Sequence, residues 1–145
     1  MARFAVAGRA TVVGTTVRAM ASVFAIASRT LKIREVHIFN TTTTAVAVAL
    51  ARFTNATGVG AGLTEVAYDE AGPAPNGTGF AGHTADGAVG SAICQATLGA
   101  AAGSGVIWTF GDTGIVIAAG TANGIGIICP TGTGQLCDYA IHWDE

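Results

Sequence analysis

Charge is what this chain has least of. Only 11% of its 145 residues are charged, against about 25% in a typical soluble domain. A surface this poor in charge is badly suited to a free monomer kept in solution by repulsion. It suits a protein packed against copies of itself or against a partner. Lys32 is the one lysine, so no glycine-rich loop here carries the lysine that a Walker A phosphate site requires. Gly124-Ile-Gly126 and Gly132-Thr-Gly134 therefore read as turn and strand glycines.

Other absences narrow the chemistry. There is no C-x-x-C, no H-x-H, no H-E-x-x-H and no G-x-S-x-G, so zinc-ligand spacings and a nucleophile elbow are both missing. The three histidines are His37 in a strand-like run, His83 in a glycine-rich segment and His142 near the C-terminus. They are far apart in sequence, and no shared metal site is expected of them. Asp69-Glu70 is an acidic pair, but neighbours on a strand face opposite ways, and solvated acids are the ordinary reading. No catalytic set emerges, so the expectation is a non-enzyme with no metal and no cofactor. Cys94, Cys129 and Cys137 are odd in number, which argues against a disulfide framework. Cys129 and Cys137 flank a turn across which they could pair, but buried free thiols made in a reducing cytoplasm are the preferred reading.

Long apolar runs are missing too. Ala19–Ala27 is far shorter than the roughly 20 residues that span a bilayer, so no membrane partner is expected. Arg9 and Arg18 break the apolar start that follows Met1-Ala-Arg-Phe4, so no secretory signal is expected either. Without one, the acceptor triplets at Asn40, Asn55 and Asn76 read as chance matches.

The few charges divide along the chain. Seven basic residues and one acid lie in residues 1–52, and eight acids with no base lie in 53–145. Two outcomes are open. The split becomes a basic docking face, carried by some of Arg3, Arg9, Arg18, Arg29 and Arg34. Or strands from the two halves interleave and the asymmetry vanishes in space. Nucleic acid is not an expected partner, because the net charge is −2 and the bases form no dense stripe.

What is abundant is period-two alternation. Met20, Ser22, Phe24 and Ile26 take the even positions of Ala19–Ala27, and Val46, Val48 and Leu50 those of Ala45–Phe53, with alanines between. Large residues recurring every second position indicate strands despite the helix propensity of alanine. Phe4–Thr11, Leu31–Asn40, Thr64–Tyr68, Val89–Leu98, Val106–Phe110, Gly114–Ile117, Gly124–Cys129 and Leu136–Trp143 complete the strand set. In Leu31–Asn40 the large residues change phase near Arg34-Glu35, which predicts a bulge. Glycine-rich breakers separate nearly every pair. The predicted fold is all-β: a single antiparallel β-sandwich, jelly-roll-like, of roughly eight to ten strands over residues 1–145. Residues 71–90 hold Phe80 as almost their only bulky apolar group and read as a long exposed Gly/Pro-rich loop or arm, available for an inter-subunit or capsid contact. Val106, Trp108 and Phe110 form an inward set, Gly111–Gly114 a tight turn, and Ile115–Ile117 a buried strand. Gly124 and Gly126 strip one strand face of side chains, which permits close approach by another backbone, such as that of a neighbouring subunit.

Two stretches carry a resemblance. Ile33-Arg-Glu-Val-His-Ile-Phe-Asn-Thr-Thr with Ala45–Arg52 is the first. Val106-Ile-Trp-Thr-Phe-Gly-Asp-Thr-Gly continuing to Gly124-Ile-Gly-Ile, with the terminal Trp143-Asp-Glu145, is the second. Together they resemble the capsid decoration (cement, head-stabilising) proteins of tailed bacteriophages, over about two-thirds of the chain. That resemblance implies a structural virion protein, made in the host bacterial cytoplasm, that binds the outside of a phage capsid shell and stabilises it. Its partner would be the major capsid protein. The resemblance transfers no individual functional residue. The low charge and the flat alanine- and glycine-lined strand faces further predict self-association, as a homotrimer matching the threefold positions of an icosahedral lattice, with a dimer at twofold positions as the alternative. The competing expectation is a jelly-roll binding module, a glycan- or receptor-binding fibre domain or lectin. Such a site needs exposed aromatics beside polar side chains, and Trp108 and Trp143 both sit in alternating apolar sets.

Overall fold

A computed structural model describes residues 1–145 except Thr57, Gly132 and Thr133. The Asn55 acceptor triplet and the Gly132-Thr-Gly134 pattern therefore lie partly outside the described residues. Eleven strands and no helix are found among the described residues: β1 Arg3–Arg9, β2 Ala21–Phe24, β3 Leu31–Asn40, β4 Val46–Phe53, β5 Val66–Ala67, β6 Thr78–Ala81, β7 Val89–Leu98, β8 Gly105–Thr109, β9 Ile115–Ile117, β10 Gly124–Ile128 and β11 Cys137–Asp144. They form two antiparallel sheets packed as a β-sandwich. Sheet A runs β5-β1-β11-β3-β8 with β9 also on β3, and sheet B runs β6-β2-β10-β4-β7. The pairings nest. β1 pairs with β11, β2 with β10, β3 with β8 and β4 with β7, so the chain lies like one long hairpin folded over itself. This nesting interleaves the N-terminal and C-terminal halves in every layer.

The alternation read from sequence produces the core between the sheets. Ile33, Ile38, Leu50, Ile127, Ile141 and Trp143 are fully buried there, each worth about 1.5–3 kcal/mol by burial. The expected bulge is present. Opposite β11, Glu35 pairs with His142 and Ile33 with Trp143, leaving Arg34 as the extra residue. Leu31 and Ile33 before it and Val36 and Ile38 after it therefore all point inward. The Gly111–Gly114 turn also forms. Both glycines have positive φ, 56° and 59°, and a Cβ on Gly114 would lie 2.4 Å from Lys32 Cγ.

Several expectations are corrected. In β2 the between-sheet side is Ala21 and Val23, while Ser22 and Phe24 face the opposite way, yet all four are buried. The reason is a second apolar cluster on the outer face of sheet B, built from Ala19, Phe24, Ala49, Ala51, Phe53 and Ile128. Residues 71–90 are not a loop throughout. Thr78–Ala81 is β6, paired with β2, and His83 behind it is 1% exposed. Backbone bonds from His83 N to Ala19 O (2.8 Å) and Gly87 N to Val17 O (2.9 Å) dock this segment across the second cluster. Ile115–Ile117 is not buried throughout either, because Val116 is 49% exposed. The half-buried Val106, Trp108 and Phe110 do pack against the main core.

Gly124 and Gly126 make room for the protein's own rings. A Cβ on Gly124 would lie 2.5 Å from the Phe24 ring, and one on Gly126 2.7 Å from Ala19 Cβ and 2.8 Å from the Phe53 ring. Phe24 and Phe53 flank Gly124 on either side of β10, and its missing side chain lets them meet edge-on at 6.2 Å. Both glycines are buried and offer no surface to a second subunit.

Candidate functional site

The outer face of sheet A is more open than that of sheet B: Ala7, Val66, Ile107 and Thr109 on it are exposed, while Ala49, Ala51 and Phe53 on sheet B are buried. Register fixes the composition of the sheet A face. One row across the strands reads Val66, Ala5, His142, Glu35, Thr109, and the next reads Ala7, Ala140, His37, Ile107. The alanines keep the surface low, and Val66 and Ile107 stand out at 60% and 50% exposure. The bulge at Arg34 matters here, since it puts Glu35 and His37 on this face while Val36 stays in the core.

Two histidines and a carboxylate converge in those rows. Glu35 and His37 are two residues apart on β3, and His142 lies directly opposite Glu35 on β11. One potential ligand atom from each lies within 4.8 Å of the others. The His37 and His142 rings are 4.9 Å apart, and His37 Nε2 bonds Glu35 Oε1. Tyr68 Oη meets His142 Nδ1 at 2.6 Å, and the Arg3 guanidinium lies over the Tyr68 ring. His142 Nε2 is buried with no hydrogen-bond partner. The hydrogen bond from His37 holds the Glu35 carboxyl below its usual range, and burial together with the neighbouring His37 lowers His142. Two of the three histidines, distant in sequence, thus meet in space, while His83 is buried elsewhere. An H-x-H search cannot find a ligand set split between strands 105 positions apart, and the only local signal was Glu35-x-His37 in a strand.

The five nominated arginines do not form a free basic face. Arg3 and Arg34 both bind Asp144, at 2.8 and 2.5 Å, Arg9 binds Asp138 at 2.7 Å, and Arg18 binds Asp86 at 2.7 Å. Arg34 also donates to Gly111 O. Arg29 is exposed and enters no ion pair among the described residues. Each paired acid comes from the C-terminal half, so interleaved strands cancel the split seen along the chain. Burial pushes the Asp144 carboxyl up, but its bonds to Arg3 and Arg34 outweigh this and hold it below the usual carboxylate range. Phe80 is half-buried and sits edge-on to Phe24 at 6.0 Å, as part of the second cluster. Trp143 is fully buried and donates to Glu145 Oε1, so it is not available to stack on a glycan. Cys129 and Cys137 are buried free thiols, and burial pushes Cys137 up to about 12. Asn40 is fully buried, its amide bonded to Thr44 O and Gly99 O.

A further feature escaped the sequence reading. β7 is ten residues long, lies at an edge of sheet B, and carries no charge and no proline. Most of its residues are exposed. Soluble proteins usually blunt such an edge with lysine, proline or a cover. Here the register with β4 shifts twice, between Leu50 and Ala51 and between Ala51 and Phe53, so the N-terminal half is irregular while Cys94–Leu98 pairs regularly with Val46–Leu50. No helix is long and apolar enough to cross a membrane among the described residues.

No family model matches the chain, and no curated protein matches it. Among solved structures, a chain of the virus-like particle of extra small virus from the giant freshwater prawn Macrobrachium rosenbergii is 11% identical, with a TM-score of 0.22. The alignment covers 99% of this chain and 80% of that one. A likeness at this level carries no argument about fold or function.

Proposed function

We propose that this protein is a non-catalytic structural virion subunit that binds the outside of a phage capsid shell and stabilises it. The observation that carries the assembly reading is the uncharged, exposed ten-residue edge β7. Its regularly paired half, Cys94–Leu98, has no charge, proline or bulge to blunt it, and such an edge is a template for main-chain pairing with another chain. The low charge and the alanine-lined outer face of sheet A support the same reading. The nested pairing order supports the jelly-roll form, an architecture common among capsid proteins and lectins. The phage-decoration part rests on the sequence resemblance. A trimer fits that role, because threefold positions recur over an icosahedral lattice and three identical contacts multiply weak binding through effective concentration.

The test is co-sedimentation of the purified chain with heads from a producing lysate, beside a variant carrying Ile93→Lys and Thr97→Lys on β7. The wild type should co-sediment and raise the temperature at which heads release DNA. The variant should keep its circular dichroism and lose binding. Failure of the wild type to bind heads would end the phage reading. Undiminished binding by the folded variant would remove β7 as the contact.

A further inference from the structure

We propose that Glu35, His37 and His142 form a binding site for a divalent transition metal, zinc before others, on the outer face of sheet A. Two imidazoles and one carboxylate suit zinc and other borderline divalent cations. The elements that supply them are rigid. β3 and β11 are adjacent central strands of sheet A, so the ligands are held on a paired backbone and not on a loop. Their nearest donor atoms are within 4.8 Å of one another. Ligands on one tetrahedral zinc at about 2.1 Å stand about 3.4 Å apart, a difference that side-chain rotation covers.

The second observation is the state of His142. Tyr68 Oη engages Nδ1, and Tyr68 follows β5, on the far side of β1 from β11. Glu35 and His37 lie on the other side of β11, on β3. The ring is thus held between the two, with Nε2 buried and partnerless. A buried nitrogen without a partner is costly, and a bound cation satisfies it. A hydrogen bond to the second ring nitrogen is also how metal-ligating histidines are oriented. The Arg3 guanidinium is anchored on Asp144 and over the Tyr68 ring and is a positive charge near Glu35 and His142, which a bound cation has to tolerate. The ligand residues are partly exposed, so a fourth position is open to water or to a donor from a docked chain. This site lies outside the sandwich and does not draw on the proposed capsid role.

The experiment is calorimetric titration of the full chain, first stripped with EDTA, with micromolar Zn²⁺. It is repeated on Glu35→Gln, His37→Asn and His142→Asn, and cobalt absorption is recorded in parallel. The expected result is one Zn²⁺ per chain, a loss of at least about tenfold in affinity for each variant, and cobalt d–d bands without a thiolate charge-transfer band. The thermal midpoint in EDTA checks folding. Should His142→Asn not fold, the more exposed Glu35→Gln and His37→Asn variants decide. No stoichiometric binding by the wild type, a thiolate band implicating the cysteines, or unchanged affinity in the folded variants would each overturn the site.

Discussion

His83 should make the protein's stability fall as the pH is lowered from 7.5 to 4.5. Its ring is 1% exposed, lies 5.0 Å from the Phe53 ring and 6.2 Å from that of Phe24, and has one polar contact, Ser22 Oγ to Nε2 at 2.8 Å. Nδ1 is buried without a partner. No carboxylate reaches the ring, so burial alone lowers its pKa from 6.5 to about 4. The folded state holds this imidazole neutral while the unfolded chain takes up a proton below pH 6.5. The unfolded state thus binds more protons in the window from 6.5 to about 4, and stability rises with pH there. At about 1.4 kcal/mol per unit, the change between pH 7.5 and 4.5 comes to about 2–3 kcal/mol.

The assay is urea unfolding at half-unit pH steps, comparing the wild type with a Ser22→Ala, His83→Phe double variant. Replacing both members of the buried pair leaves no orphaned hydroxyl, and the added ring lies beside Phe24 and Phe53. The carboxylates held low, Glu35, Asp138, Asp144 and Glu145, act in the same direction but below their ordinary range near 4.5. Their stabilisation is present above that value and lost as pH falls through their folded pKa. His142 is common to both proteins. The wild-type minus variant difference above pH 4.5 therefore reports His83. Parallel stability curves for the two proteins between pH 7 and 4.5 would refute the reasoning.

Two further perturbations test the packing. Asp144→Asn leaves the Arg3 and Arg34 guanidiniums facing a neutral amide at a site where Asp144 is 5% exposed, and should cost about 3 kcal/mol in denaturant unfolding. Gly126→Ala should cost about 1–3 kcal/mol by overpacking against Ala19 and Phe53, while Gly62→Ala, with nothing within 4 Å of the new Cβ, should change little. If Gly126→Ala left stability intact and altered only the oligomeric state, the glycine would belong to a subunit contact.

The strands were legible because side chains alternate at a period that sequence preserves. Even the bulge at Arg34 was visible, since an inserted residue moves large side chains from odd to even positions. What was not legible is what covers a strand from outside. Ser22 and Phe24 share a phase with Met20, and nothing local says that β2 is buried on both faces. That follows from β6 and His83, in a stretch whose glycines suggest a loop. Gly79, within β6, would place a Cβ 2.6 Å from Val6, so glycine there permits close packing and does not signal disorder. The histidine cluster was hidden for a related reason: pairing β3 with β11 is a property of the nesting, and the sequence contains only its halves.

The two outer faces then account for the composition of the chain. Sheet B covers its outer face with its own segment, using Gly124 and Gly126 to seat Phe24 and Phe53 across β10. Sheet A leaves low alanines around two histidines and a glutamate. Four of the seven basic residues are held in ion pairs, with Asp144 holding Arg3 and Arg34, Asp138 holding Arg9 and Asp86 holding Arg18. Pairing thins an already small set of charges that could keep copies apart. Exposed pairs such as Arg9–Asp138 are worth little to stability, but they remove net field from the surface, and long-range repulsion between approaching subunits falls with it. Reversing one partner, as in Arg9→Glu, should therefore barely change unfolding while restoring local negative charge beside Asp138. If the chain assembles through these faces, light scattering at low salt should show weaker self-association for that variant, with the difference fading at high salt. Equal association at every ionic strength would mean that the pairing of charges has no bearing on assembly.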